Sequence, residues 1–183
     1  MPGFLIPLII IVIILIWFAA SYNGFVKLRN MVREAFSTMD VYMKKRYDLI
    51  PNLVETVKGY AKHEAGTLEK VTAARNAAAS ATTVEGRIEG ENALTATLKN
   101  LFAVAEAYPD LKANANFMDL QRQLQSVESE IANSRKYYNA IVRDFNIKVE
   151  SFPSNIIAAI FGFKRELMFE IATEERDNIK IQF

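Results

Sequence analysis

Phe117–Phe145, FMDLQRQLQSVESEIANSRKYYNAIVRDF, carries the longest regular apolar stripe of the chain outside its apolar N-terminus. Phe117, Leu120, Leu124, Val127, Ile131, Tyr138, Ile141 and Phe145 recur at steps of three and four, or seven, with Ser134 holding one place between. That spacing lines one face of a 3.6-residue helix, and Gln, Glu, Arg and Lys fill the other faces. A stripe sustained this long predicts antiparallel helices crossing at shallow angles, or a coiled-coil contact with another chain.

Upstream of that stretch the same period returns in shorter runs. Leu94, Leu98, Leu101, Phe102 and Ala105 form a stripe that stops at Tyr108-Pro109-Asp110. Leu53, Val57, Tyr60, Leu68, Val71 and Ala74 form another, fading into a connection at Ala77–Thr83, AAASATT. The first stripe is Phe25, Leu28, Val32, Ala35, Met39, Tyr42 and Leu49, with Arg46 interrupting it. Pro51 biases Ile50 away from helical angles, which predicts a turn or sharp kink at Asp48–Asn52. Strand-like alternation is confined to the tail, Ile179–Phe183.

The chain opens on Phe4–Ala20, FLIPLIIIVIILIWFAA, and carries no charged side chain before Lys27. At about 1.5 Å per residue, this run and its uncharged flank cover a hydrocarbon core of about 30 Å. Phe4, Leu8, Ile11 and Ile14 supply the apolar surface, and Trp17 and Tyr22 stand where amphipathic rings favour the interface. A cleaved signal peptide would carry Lys or Arg ahead of its apolar core, and none stands here, so a retained anchor is expected. The expected fold class is therefore all-α: an N-terminal transmembrane helix continuing into an antiparallel up-and-down helical bundle. The expected division is an anchor over residues 1–26, a bundle over 27–151, and an apolar segment with tail over 152–183. Lys27, Arg29 and Arg33 follow the span, and the positive-inside bias places the domain in the cytoplasm.

Phe152–Phe163, FPSNIIAAIFGF, is too short to span a bilayer. With four helices alternating in direction, it falls beside the membrane-proximal end of the domain. Phe152, Ile156, Ile157, Ile160, Phe161 and Phe163 are candidates for the bilayer interface or a subunit contact, with Lys164 and Arg165 facing headgroups. Capping of the open end of the bundle is the alternative.

Catalytic groups are scarce. With 22 Lys+Arg against 21 Asp+Glu, no global basic field calls for nucleic acid. The absence of cysteine removes disulfides, thiolate chemistry and zinc–thiolate sites. His63 is the sole histidine; Thr67 stands four residues later and Tyr60 three before, so neither metal-binding helix spacing is complete. No phosphate-cradling glycine motif occurs, and the Gly86–Gly90 pair encloses Arg87 and Glu89, which excludes a membrane dimer motif. Glu128, Glu130, Glu174, Glu175 and Asp177 read as solvated carboxylates. Lys44-Lys45-Arg46, flanked by Asp40 and Asp48, reads as a solvated, salt-bridged face. No catalytic residue, metal, cofactor or small-molecule substrate is expected.

Tyr22-Asn23, RYDLIPNLVETVKGYAKHE (Arg46–Glu64), AEAYPDLKANANFMDLQ (Ala105–Gln121), RKYYNAIVRDFN (Arg135–Asn146) and FPSNIIAAIFGF together resemble the LemA family, over nearly the whole chain. The resemblance implies a membrane-anchored helical bundle without an established activity or cofactor, linked to envelope and membrane homeostasis. It also bears on topology, because some relatives carry a lipid-modified cysteine before the Tyr-Asn pair, a mark of exported domains. Here Ala20-Ser21 precedes that pair, so the helix itself is the anchor.

The motif residues have physical readings too. Asp48 caps a turn, Pro51 sets the reversal and Asn52 bonds to backbone, and Tyr108, Pro109 and Asp110 do the same before the last long helix. Arg135, Tyr138 and Asn139 form a polar cluster with a neighbouring helix. The tail IKIQF departs from the family's pattern. Three functions are compatible with these observations. The first is a membrane-tethered, self-associating scaffold with lipids, its own copies and other membrane or envelope proteins as partners. The second is a lipid-organising or membrane-remodelling protein using residues 152–163. The third, a metal-dependent enzyme, has the least support.

Overall fold

The computed structural model describes residues 4–170. The regular elements among them are helices: α1 (Leu5–Tyr60), α2 (Ala65–Ser80), α3 (Val84–Ala105), α4 (Pro109–Lys112), α5 (Ala115–Glu150) and α6 (Ser154–Phe161). The fold is all-α, with a long apolar N-terminal helix running on into the helical domain. The tail Ile179–Phe183, read as extended, lies outside the described residues, as do Glu174, Glu175 and Asp177.

Two compact units divide the chain: residues 4–37 with 136–168, and residues 38–135 with 169–170. In the second unit α1 corrects the expected turn, because the helix passes straight through Asp48–Asn52 to Tyr60. Pro51 lacks an N–H, which should orphan the carbonyl of Tyr47 one turn earlier. Arg75 on α2 repairs this, its Nε donating to the Tyr47 carbonyl at 3.1 Å. The chain reverses instead at Ala61–Glu64, where the Glu64 N–H donates to the Ala61 carbonyl at 3.1 Å. The Tyr108 hydroxyl donates to the Glu64 carboxylate at 3.2 Å, and Asn114 Nδ2 donates to the Tyr60 hydroxyl at 2.8 Å. These bonds hold the reversal in place of a proline.

The next two helices form a hairpin whose connection is shorter than the expected Ala77–Thr83, because α2 runs on to Ser80 and residues 81–83 alone join it to α3. Thr83 caps α3, its hydroxyl accepting from the Gly86 N–H at 3.1 Å. Gly90 serves close approach: a Cβ there would lie 2.7 Å from the Cα of Ala78 on α2. The glycine pair thus works inside the helical hairpin. Pro109 occupies the first turn of the single-turn α4, and Asn114 caps α5 by accepting from the Phe117 N–H at 2.9 Å.

In the first unit, residues of α1 before Ser37 pack on α5 beyond Arg135, on α6 and on the strap that follows it. Phe25 stacks on Phe163 with centroids 4.7 Å apart and meets Phe145 edge-on at 6.1 Å. Gly162 adopts φ 70° after α6, a left-handed angle that turns the chain so that Phe163 points back inward. Asn146 then pairs both ways with Glu166: its Nδ2 donates to the Glu166 carbonyl and its Oδ1 accepts the Glu166 N–H, each at 2.9 Å. One side-chain amide thereby does for the strap what a neighbouring strand would do.

The α5 stripe is the expectation that transfers best. Phe117, Leu124, Ile131, Ser134, Tyr138, Ile141 and Phe145 are buried within the chain. The first stripe needs adjustment, because Met43, Tyr47 and Ile50 are buried where Tyr42 and Leu49 were read.

Candidate functional site

The sequence reading put Arg46 on a solvated face. In the structure it is 1 % exposed, among the largest fully buried side chains. The helical period explains the correction: Arg46 follows Met39 by one heptad and precedes Leu53 by another, so the face that buries them buries it. Glu91 stands on α3 one turn before Leu94, on the same buried stripe.

Arg46 Nη2 pairs with the Glu91 carboxylate, and Nη1 donates to Glu128 on α5 at 2.6 Å and to the Thr95 hydroxyl at 3.3 Å. The Tyr47 hydroxyl donates to the other Glu91 oxygen. Arg87 Nη1 donates to that hydroxyl at 3.4 Å, and its Nη2 pairs with Asp40 at 3.4 Å. Arg46 Nε is buried without a hydrogen-bond partner. Lys44, by contrast, is exposed and pairs with Asp48 at 3.2 Å, as the sequence suggested.

Burial lifts the Tyr47 hydroxyl well above its ordinary value, and the Glu91 carboxylate adds to the lift. Burial also raises the Glu91 carboxyl, against the pull of Arg46 and the Tyr47 hydrogen bond. Tyr47 stays neutral, so its hydroxyl offers no nucleophile at neutral pH. What the cluster can do is fix how α1, α3 and α5 meet, since an ion pair taken from water tolerates few geometries.

Two open grooves flank this core in the same unit. One, of about 500 Å³, is lined by the buried Ala61 and Leu68, by Val54 and Ala65, and by the charged Lys58 and Glu69. The other, of about 390 Å³, lies between α3 and α5, with Leu98, Phe102 and Leu124 beside Lys99 and Gln125. An apolar lining with side chains of both charges suits a polypeptide side more than a small anion.

In the first unit, Leu8, Ile11, Ile14, Trp17 and Tyr22 are all exposed on α1, and Phe4 is exposed just before it. The helix is long and apolar enough to cross a membrane. The residues read as outward contacts in 152–163 divide into two groups. Phe152, Ile156, Ile160, Phe161, Lys164 and Arg165 are exposed, whereas Ile157 and Phe163 are buried in the protein. A helix of that apolarity must turn one side inward, and here Ile157 and Ala158 form it.

The remaining motif residues are placed as follows. Pro51 and Asn52 are exposed, and the Asn52 carbonyl accepts from the Thr56 hydroxyl at 2.8 Å. Asp110 is exposed in α4. Tyr138 is buried; its hydroxyl donates to the Leu167 carbonyl on the strap at 2.9 Å, and its ring meets Phe36 of α1 edge-on at 5.8 Å. Arg135 and Asn139 are half-buried. His63 is exposed in the Ala61–Glu64 reversal rather than on a helix. Among the described residues, no three His, Cys, Asp or Glu side chains group to hold a metal ion.

Sequence reasoning missed Glu91, Asn114 and Asn146. The signal for Glu91 was present, since a carboxylate and a guanidinium each interrupt an apolar stripe. Asn146 sits on the helical face next to Ile141, Val142 and Phe145, where a polar side chain needs a partner.

Comparison with known proteins follows the same lines. The model of the LemA family matches residues 35–183. Protein LemA of Metamycoplasma hominis is 24% identical over 158 residues, covering 86% of this chain and 72% of that protein. Magnetosome protein MamQ 2 of Paramagnetospirillum magneticum is 27% identical over 175 residues, covering 81% of this chain and 64% of that protein. Magnetosome protein MamQ of Magnetospirillum gryphiswaldense is 23% identical, covering 79% of this chain and 62% of that protein. The chain thus spans a little under two thirds of the magnetosome relatives' length.

Proposed function

Because this chain belongs to the LemA family, we propose that it is a membrane-tethered, non-enzymatic scaffold that binds partner polypeptides, its own copies among them. The observation that carries this reading is the pair of open, apolar-lined grooves on a unit whose helices are pinned by a buried ion cluster. A platform with fixed helix faces presents such grooves without having to order them on binding. The names of the relatives point the same way, since they refer to a family and to a magnetosome and state no reaction. Because the α5 stripe is buried within the chain, self-association through the grooves is the form this reading takes.

The test is the mass of the full chain in mild detergent, together with crosslinking in intact cells. A mass above one chain, reduced by Leu98→Glu in the α3–α5 groove, supports the scaffold. A monomer that captures no partner overturns it.

The reading places the domain in the cytoplasm, supported by Lys27, Arg29 and Arg33 just after the span. Thr82 lies exposed between α2 and α3, and the chain has no native cysteine. Thr82→Cys should therefore resist a membrane-impermeant thiol reagent in intact cells and react only after lysis. Reaction before lysis reverses the assignment.

A further inference from the structure

We infer that α6 is a second, shallow membrane contact, with Phe152, Ile156 and Ile160 entering the headgroup–acyl boundary of the bilayer that α1 spans. The inference rests on the reading of the apolar part of α1 as a membrane span. It extends that reading from an anchor that tethers the domain to a surface that seats it.

Depth carries the argument. From Phe4 to Tyr22 an α-helix rises about 27 Å, close to the roughly 30 Å of a hydrocarbon core. Tyr22 therefore marks the far boundary of the span, five residues before the first charge at Lys27. The ring of Phe161, the last residue of α6, lies 4.6 Å from the Tyr22 ring and 5.8 Å from the Phe18 ring. Phe163 stacks on Phe25, less than one further turn along α1. The end of α6 is thus fixed within one helical turn of the boundary, continuous with the lipid-facing surface of the span.

Exposure supplies the second part. Ile157 is 1 % exposed and holds α6 to the protein, while Phe152 is 81 % and Ile160 61 % exposed. Ile156 and Ile160 are one turn apart and share a face. No charged residue occurs between Glu150 and Lys164. Lys164 and Arg165 then follow at once, both exposed; Arg165 Nε pairs with Glu150 at 3.0 Å, which closes the apolar segment with a charged rim at headgroup level. Apolar side chains this exposed, at this depth and bordered by a charged rim, match a lipid surface.

The experiment uses the absence of cysteine. Ile156→Cys, Ile160→Cys, Ile11→Cys and Thr82→Cys are made singly in the full chain, labelled with an environment-sensitive fluorophore and reconstituted into phosphatidylcholine–phosphatidylglycerol vesicles. Quenching by lipids with a shallow or a deep nitroxide is compared with quenching by aqueous iodide. At positions 156 and 160 the shallow nitroxide should quench at least about threefold more than at position 82, as expected for residues buried 5–10 Å into the boundary. Strong iodide quenching at both positions overturns the inference. So does protection from every quencher, which would mean a second copy covers α6. Ile11→Cys separates the two readings: the deep nitroxide should quench it if α1 spans. If it does and positions 156 and 160 fail, only the α6 contact falls; if position 11 fails, the span falls as well.

Discussion

In the unit formed by residues 4–37 and 136–168, what is buried is mostly rings and aliphatic chains: Phe25 against Phe145 and Phe163, with Ile141 and Ile157 around them. In the unit formed by residues 38–135, one of the largest buried side chains is a guanidinium held between two carboxylates. Apolar packing is nearly indifferent to direction, so the first unit can accept a neighbour of similar volume at small cost. An ion cluster out of water accepts few geometries, so the second trades tolerance for a defined register. The unit that carries the membrane helix is held by contacts that lipid also offers. The other is held by contacts that lipid cannot replace.

The largest expected effect is at the cluster. Arg46→Ala leaves Glu91 buried without its cation and should cost about 3–5 kcal/mol, whereas Phe25→Leu should cost only about 1–2 kcal/mol. Urea unfolding of the full chain in detergent, followed by helical dichroism, measures both. Equal costs would erase the contrast between the units.

Next comes the α2–α3 hairpin. Gly90→Ala forces a methyl group toward the Ala78 backbone and should cost about 1–2 kcal/mol net, overpacking of about 1–3 kcal/mol being offset by a gain in helix propensity of about 1 kcal/mol. Gly66, with open space around its Cα, should gain stability on the same change. If Gly90→Ala also stabilises, the close approach is not a constraint.

A smaller effect concerns the carbonyl orphaned by Pro51. Arg75→Ala should cost about 1 kcal/mol in the natural chain. The cost should shrink once Pro51→Ala restores the helix's own donor. Purely additive effects in that double-mutant cycle would mean that Arg75 acts elsewhere.

The smallest effect is a slope with pH. Tyr47 is held protonated in the folded chain above its ordinary value of about 10. Its contribution is therefore complete below that pH and lost as pH rises through the folded value. Tyr47→Phe should flatten the fall in melting temperature above pH 10, and parallel curves would count against a titrating role for Tyr47.

The α5 stripe was legible because burial there follows one helical period from Phe117 to Phe145, with only Leu120 and Val127 half-buried. The long apolar N-terminal helix was legible because composition alone decides whether a helix of that length is apolar. Pro51 misled because its preference against a helix is local, while the donor that offsets it comes from Arg75 on another helix. Arg46 misled because it stands in a charged tripeptide, and neighbours in sequence outvoted neighbours on the stripe. Had its heptad position been weighed above its neighbours, a buried partner would have been required, and Glu91 was the carboxylate on the matching stripe of α3. The split of 152–163 into inward Ile157 and outward Ile160 was not legible, because both sides of α6 are apolar and only contact distinguishes them.

The ion cluster also sets a timetable. Arg46 leaves the ribosome 45 residues ahead of Glu91 and 82 ahead of Glu128. At synthesis rates of about 5–20 residues per second, the second partner follows roughly 4–16 s later. Through that interval the nascent α1 carries an apolar stripe with an unmatched cation at its middle. Until Glu128 has been made Arg46 is short of one of its two carboxylates, so the register of α1, α3 and α5 is set only after most of the unit has been synthesised.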